Sequence, residues 1–187
     1  MKLSFIPYVT ETTMKTMRNT LTALLGITAI LSVHAASDKA APRAEVTFSD
    51  PDKFTDAANS QRGSDFGRDG NLQDLREHVL RKANSYVPEG QKLEVTITDV
   101  DLAGEIEPWR SPQAHDVRII KDIYTPRIDL SYRLIDSATG AVVKEGTSKL
   151  RDLNFTMNLH ANRQDPRVYE KALLDDWLRR EFGRVKK

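Results

Sequence analysis

Residues 127–135, RIDLSYRLI, constrain the fold more than any other stretch of this 187-residue chain. Its apolar side chains alternate with polar ones, as expected for a strand with one buried face; they are Ile128, Leu130, Tyr132 and Leu134. The following DSATG, residues 136–140, has the composition of a hairpin loop. Residues 141–150 are typical of a returning strand, polar enough for the edge of a sheet. The pattern therefore predicts antiparallel pairing.

Four further stretches complete the predicted architecture. Residues 44–48 and 93–98 alternate as strands do. Residues 71–87 carry an apolar stripe at helical steps of three and four, formed by Leu72, Leu75, Val79, Ala83 and Tyr86. Asp165-Pro166 opens a last helix, because aspartate favours the N-cap and proline the first turn. The order β-α-β-β-β-α predicts an α+β fold, a two-layer sandwich of about four mainly antiparallel strands with both helices on one face.

Residues 15–36 have the features of an export signal. Two cations precede an apolar run at residues 21–33, and small residues follow at the positions that a signal peptidase reads. The run is about 13 residues long, whereas a membrane span needs roughly 20. We therefore expect cleavage near Ala35, a periplasmic or secreted product and no stable membrane anchor.

The expected processing also sets the domain organisation. Residues 1–35 form the signal peptide, and the true start is expected at Met14 or Met17, because Glu11 fits poorly in a cationic leader. Residues 36–43 are small and polar and predict a flexible lead-in. Residues 44–187 then predict a single α+β domain.

Composition excludes several classes of protein. The chain has no cysteine, so it forms no disulfide and carries no lipid-attachment cysteine. Its formal net charge of +1 lacks the excess positive charge of a nucleic-acid binder, so we expect no nucleic-acid partner. The histidines lack zinc-ligand spacing, and we expect no metal and no cofactor.

Residues 99–127 form an unusually long connection between two predicted strands, here called the 99–127 segment. Asp99 and Asp101 continue the buried face of the strand by parity, whereas Val100 and Leu102 take over the apolar role. A one-residue slip of this kind predicts a β-bulge near Thr98 and Asp99, which turns the two acids toward a rim.

The 99–127 segment also holds the candidate functional residues. We expect a ligand or partner site formed by Asp99, Asp101, Trp109, Arg110, Asp116, Asp122 and Arg127. The alternative is a structural ion-pair network that fastens a long loop. In the same way, Trp109 is either an exposed stacking platform or the apolar anchor of the loop. The sequence identifies no catalytic residue.

Three functions remain open on these observations. The first is a non-enzymatic binding or accessory module of the cell envelope, with an unknown protein or small-molecule partner on the 99–127 segment. The second is a hydrolase that uses paired carboxylates among Asp99, Asp101, Asp116 and Asp122. The third is an envelope assembly or stress accessory that pairs through the predicted edge strand, residues 141–150.

Several long strings resemble a known family, the domain of unknown function 3016. They are VTFSDPDKFTD at residues 46–56, LREHVLRKA at 75–83, ITDVDLAGEIEPW at 97–109, VRIIKDIYTPRIDLSYRL at 117–134 and YEKALLDDWLRREF at 169–182. The resemblance covers nearly all of the chain that follows the expected signal. It implies an exported proteobacterial protein of one domain and carries no assigned activity or catalytic residue.

Overall fold

The computed structural model describes residues 42–59, 65–110, 117–157 and 164–184. Their principal elements are strands β1 to β6 and helices α1 and α2. In chain order these are β1 (Ala44–Phe48), α1 (Arg68–Ala83), β2 (Gln91–Asp101), β3 (Glu105–Ile106), β4 (Arg118–Ile119), β5 (Arg127–Asp136), β6 (Val142–Arg151) and α2 (Val168–Phe182).

The larger sheet has the strand order β1-β2-β5-β6, and β3 pairs with β4 in a separate two-stranded sheet. β1 runs parallel to β2, while the β2–β5 and β5–β6 pairs are antiparallel. The parallel pair follows from α1, because a helix between two strands returns the chain in the original direction. The predicted α+β fold with a mainly antiparallel four-stranded sheet is confirmed.

The hairpin between β5 and β6 has the predicted local chemistry. The Asp136 carboxylate accepts hydrogen bonds from the backbone N–H groups of Ala138 and Thr139 and from the Thr139 hydroxyl. Gly140 has a φ of 72°, a left-handed conformation that glycine adopts without strain. β6 lies at an edge of the sheet, as its polar sequence predicts.

Both helices are present, although each has a boundary that the sequence analysis placed differently. α1 begins at Arg68 and ends at Ala83, not at residues 71 and 87, because its first turn is polar and outside the apolar stripe. α2 begins at Val168 with Arg167 as its N-cap, so the prediction that Asp165 caps it was wrong. The Asp165 carboxylate instead accepts a hydrogen bond from the Arg167 backbone N–H.

The core lies between the helices and one face of the sheet. The inner face of the sheet supplies fully buried residues such as Leu93, Ile97 and Ile128. From α2, Trp177 is 1% exposed and packs edge-on against Tyr132 at 5.6 Å between ring centroids. Burying such side chains contributes roughly 1.5–3 kcal/mol each, so this layer supplies most of the stability of the fold.

The opposite face of the sheet is polar. Its side chains come from the alternate positions of each strand and include Glu45, Thr96, Ser131 and Lys149. Alternation with period two makes this division, because successive side chains on a strand point to opposite faces. We call it the open face.

The expected signal peptide, residues 1–35, and most of the expected lead-in lie outside the described residues. Of the lead-in, Pro42 and Arg43 are described, and the Arg43 guanidinium donates to the Val87 carbonyl and to Glu89. The described residues belong to one compact unit, Ala40–Lys187. Among them, neither helix has the length and apolar character that crossing a membrane requires.

Candidate functional site

The predicted β-bulge is present at the end of β2. The register of β2 against β5 shifts between Ile97 and Asp99, so one residue of β2 has no partner. Beyond the shift, Asp99 is opposite Asp129 and Asp101 is opposite Arg127. The bulge therefore places both acids on the open face, while Val100 returns to the core with 0% exposure.

Each of these two carboxylates has a partner. Asp99 accepts hydrogen bonds of 2.7 Å from both the backbone N–H and the hydroxyl of Thr55. Asp101 accepts from the Nε and one terminal nitrogen of Arg127, at 2.9 and 2.6 Å. Burial raises the pKa of Asp101, and the negative charges of Asp56 and Asp99 add to this effect, although Arg127 opposes it.

A buried ion pair attaches the 99–127 segment to the domain. Arg118 donates to both carboxylate oxygens of Asp56, at 2.9 and 3.0 Å. It also donates to the carbonyls of Gly104 and Ala58, at 2.9 and 2.7 Å. The side chains of Arg118 and Asp56 are only 12% and 6% exposed, so four directed hydrogen bonds compensate for burying the charge.

The small β3–β4 sheet holds the two arms of the segment together. Gly104 has a φ of 83°, and a Cβ at this position would lie 2.7 Å from the Ile119 carbonyl oxygen. Only glycine fits, because both the backbone conformation and the space exclude a side chain. Next to this sheet, the buried Glu107 carboxylate pairs with Lys121 and accepts a 2.8 Å hydrogen bond from the Tyr124 hydroxyl.

A second buried acidic side chain comes from α2. Glu170 is 1% exposed, and one carboxyl oxygen accepts a 2.6 Å hydrogen bond from the Ala103 backbone N–H. Its other oxygen is buried and has no hydrogen-bond partner. Burial raises the pKa of Glu170. Arg167, itself 7% exposed, donates to Asn59 at 3.1 Å, and burial lowers its pKa. The segment is thus attached to α2 as well as to the sheet.

Exposed apolar side chains lie on the 99–127 segment and on the turn after β6. Trp109, Ile123 and Met157 are 73%, 75% and 74% exposed. Asp122 accepts a 2.9 Å hydrogen bond from the Thr156 hydroxyl, which joins the segment to the turn after β6. Exposed apolar groups on connected parts of a surface are candidates for an interaction surface. We call Trp109, Ile123 and Met157 the apolar tips.

The structure brings together some of the predicted site residues and separates others. Asp99, Asp101 and Arg127 lie on neighbouring strands of the open face. Asp122 belongs to a separate hydrogen bond at the apolar tips. Asp116 and the Arg110 side chain lie outside the described residues. Sequence reasoning missed Asp56, Glu107 and Glu170, since no local pattern marks an acid whose partner comes from a distant part of the chain.

A cleft of about 580 Å³ opens at the other end of the sheet. It is lined by residues around the start of β2 and the end of β5, including Arg43, Lys92, Glu94 and Asp136. None of the predicted site residues lies there. Within the described parts of the chain, no group of three His, Asp or Glu side chains is arranged to hold a metal ion.

The site is thus a protruding segment with paired charges and apolar tips on an α+β domain. The chain belongs to the family described as "Protein of unknown function (DUF3016)", whose profile matches residues 42–180. This confirms the resemblance found in the sequence. No curated protein matches the chain significantly.

Among solved structures, the chain is similar to one described as a "putative lipoprotein" from Caulobacter crescentus CB15, a crystal structure at 2.40 Å resolution. The two share 18% sequence identity, and the match covers 73% of this chain and 91% of the other. The TM-score is 0.28, so the similarity carries no argument about function.

Proposed function

We propose that this protein of the DUF3016 family is an exported, non-enzymatic module that binds a partner protein of the cell envelope through the apolar tips. The observation that carries the proposal is the exposure of about three-quarters of Trp109 and Ile123, on a segment that the Arg118–Asp56 ion pair attaches to the domain. Met157, on the turn hydrogen-bonded to this segment, is exposed to the same extent. The export signal expected at residues 15–36 supports the compartment.

The attachment of the segment supports binding because it lowers the cost of ordering. A loop that must be ordered on binding loses conformational freedom, whereas a loop already held in place does not. Arg118 holds the segment to Asp56, and Glu170 holds it to α2. Tryptophan and methionine are enriched at protein interfaces, and a few such residues supply most of the binding energy.

The hydrogen bonds of Asp56, Asp99 and Asp101 support a structural role for these carboxylates. Asp99 accepts hydrogen bonds from Thr55, Asp101 from Arg127 and Asp56 from Arg118. A catalytic base needs a carboxylate lone pair within reach of the substrate. Each of these three carboxylates instead accepts hydrogen bonds from other residues of the fold. This arrangement favours the apolar tips, and not the acids, as the contact with a partner.

A hydrolase is the second candidate, and one observation favours it. Burial and two neighbouring acids raise the pKa of Asp101, which is a property of general acids and bases. If Asp101 is catalytic, Asp101→Asn abolishes hydrolysis across a substrate panel while the fold persists. If it is structural, no hydrolysis is found in either protein, and Asp101→Asn lowers only the stability.

The test of binding uses a photo-reactive amino acid at single positions in living cells. We expect crosslinks to an envelope protein from position 123 and none from position 142, where Val142 is also an exposed apolar residue but lies at the other end of the sheet. Trp109→Ala in the same background should remove the position 123 crosslink. Equal crosslinking from both positions, or no effect of Trp109→Ala, contradicts the proposal.

A further inference from the structure

The β6 edge carries a charge pattern that is complementary to itself. Glu145 and Lys149 project from the open face, and their side chains are 68% and 88% exposed. They lie at equal distances on either side of Thr147, which is also on the open face, opposite Ser131. When two such strands pair antiparallel with Thr147 opposite its own copy, each Glu145 faces a Lys149 of the other chain.

We propose that β6 pairs with β6 of a second copy in this register, which joins two four-stranded sheets into one sheet of eight strands. Thr147 then lies on the twofold axis. The partner is a second copy of this chain, and the docking surface is the exposed β6 edge, which is separate from the apolar tips of the proposed function.

The charges of the open face single out this register. Along one row across the sheet, Glu94, Arg133 and Glu145 alternate in sign. In the proposed register, the row continues into Lys149 and then Asp129 of the second copy, so the alternation persists across the junction. Opposite charges directly across a strand pair are stabilising, and like charges are destabilising.

The neighbouring registers lack this continuity. Moving the twofold axis by one residue shifts the pairing by two residues, which keeps every side chain on its own face of the sheet. One such step places Gly146 on the axis and leaves Glu145 opposite a threonine. The step in the other direction places Glu145 opposite Arg151, behind which Arg127 repeats the same sign. Of these three registers, only the one centred on Thr147 places Glu145 opposite a cation whose own neighbour on β5 is an acid.

The helix-facing side of β6 is compatible with such pairing. Lys144 projects toward its own α2, where it donates to the carbonyl and the carboxylate of Glu181. Its charge is therefore neutralised within each copy. Gly146 lies against the Tyr132 ring, and a Cβ at this position would be 3.1 Å from the Tyr132 hydroxyl oxygen. In the proposed register Gly146 faces Ser148 of the second copy, so small residues meet there without a clash.

The absence of cysteine from the chain makes the register directly testable. In a Thr147→Cys variant, a disulfide can form only between two copies, and directly opposed residues have the Cα separation that a disulfide needs. We expect mild oxidation of the purified protein to give a covalent dimer with Thr147→Cys. Thr47→Cys, in the same cross-strand row but on the β1 edge, should remain monomeric.

Two results would overturn the proposal: Thr147→Cys forms no covalent dimer, or Thr47→Cys forms it equally well. Glu145→Cys tests the register further, because it places the two cysteines four residues out of alignment. Better crosslinking by Glu145→Cys than by Thr147→Cys overturns the register.

Association is measured independently by light scattering across a range of protein concentrations. Glu145→Lys should weaken dimerisation about tenfold, because two attractive pairs become repulsive. The double variant Glu145→Lys/Lys149→Glu restores opposite charges across the junction and should recover most of the dimer. Glu45→Lys makes the same change at the β1 edge and should leave dimerisation unchanged. A monomeric wild-type protein at every concentration, or a double variant no better than the single one, overturns the proposal.

Discussion

Arg118 is the residue whose loss should most disturb the 99–127 segment. Replacement by methionine keeps much of the side-chain volume and removes the four hydrogen bonds to Asp56, Gly104 and Ala58. The Asp56 carboxylate, 6% exposed, is then a buried charge without its cation. Breaking a buried pair in this way costs about 3–5 kcal/mol. For a domain with a total stability of about 5–15 kcal/mol, that is a severe loss.

The measurement has a global and a local component. Urea unfolding, followed by the fluorescence of buried Trp177, gives the change in the free energy of unfolding. Hydrogen exchange reports the segment itself, where the Gly104 N–H donates to the Tyr124 carbonyl. We expect this amide to lose its protection in Arg118→Met at denaturant concentrations where the α1 amides remain protected.

Two further variants make the reasoning refutable. Adding Asp56→Asn to Arg118→Met removes the unpaired charge, so the double variant should be more stable than the single one. Arg133→Met is the matched control, because Arg133 is exposed and its ion pairs are 3.9 Å long, and it should change stability by less than about 0.5 kcal/mol. A loss below about 1 kcal/mol in Arg118→Met, or a double variant as unstable as the single one, refutes the argument.

Three other substitutions test the buried parts of the structure. Glu170 has a raised pKa, so the folded state keeps a proton that the unfolded state releases above its ordinary pKa of 4.5. The wild type should therefore lose stability relative to Glu170→Gln as pH rises from 4.5, by at most about 1.4 kcal/mol per pH unit. A stability difference that stays constant with pH in urea titrations contradicts this. The positive φ of Gly104 should make Gly104→Ala cost about 1–2 kcal/mol, and the clash of the new Cβ with its neighbours should add to this and expose the segment to proteases. Gly90→Ala, with a similarly positive φ but open space around it, isolates the backbone cost. Leu174→Ala should cost about 2–5 kcal/mol in thermal or urea unfolding, because this side chain is fully buried, and a smaller loss means that the core is less tightly packed than described.

The candidate site was only partly predictable from the sequence. The positions of Asp99 and Asp101 and the bulge between Ile97 and Asp99 could be predicted, because the apolar residues of the strand change there from odd to even positions, which is a local signal. The ion pair between Asp56 and Arg118 joins residues 62 positions apart, and the hydrogen bond from Ala103 to Glu170 spans 67. No spacing rule connects residues at such distances, so these attachments were missed.

Local patterns in the chain were sufficient to predict the main strands, the helices, the hairpin at Asp136 and the edge position of β6. These features depend on periods of two or 3.6 residues and on turn chemistry, which act over a few neighbouring positions. The parallel pairing of β1 with β2, and the pairing of each acid with its base, depend on the tertiary structure. The physical reason is that a pattern shows which face of an element is buried, whereas the partner on that face depends on how the whole chain packs.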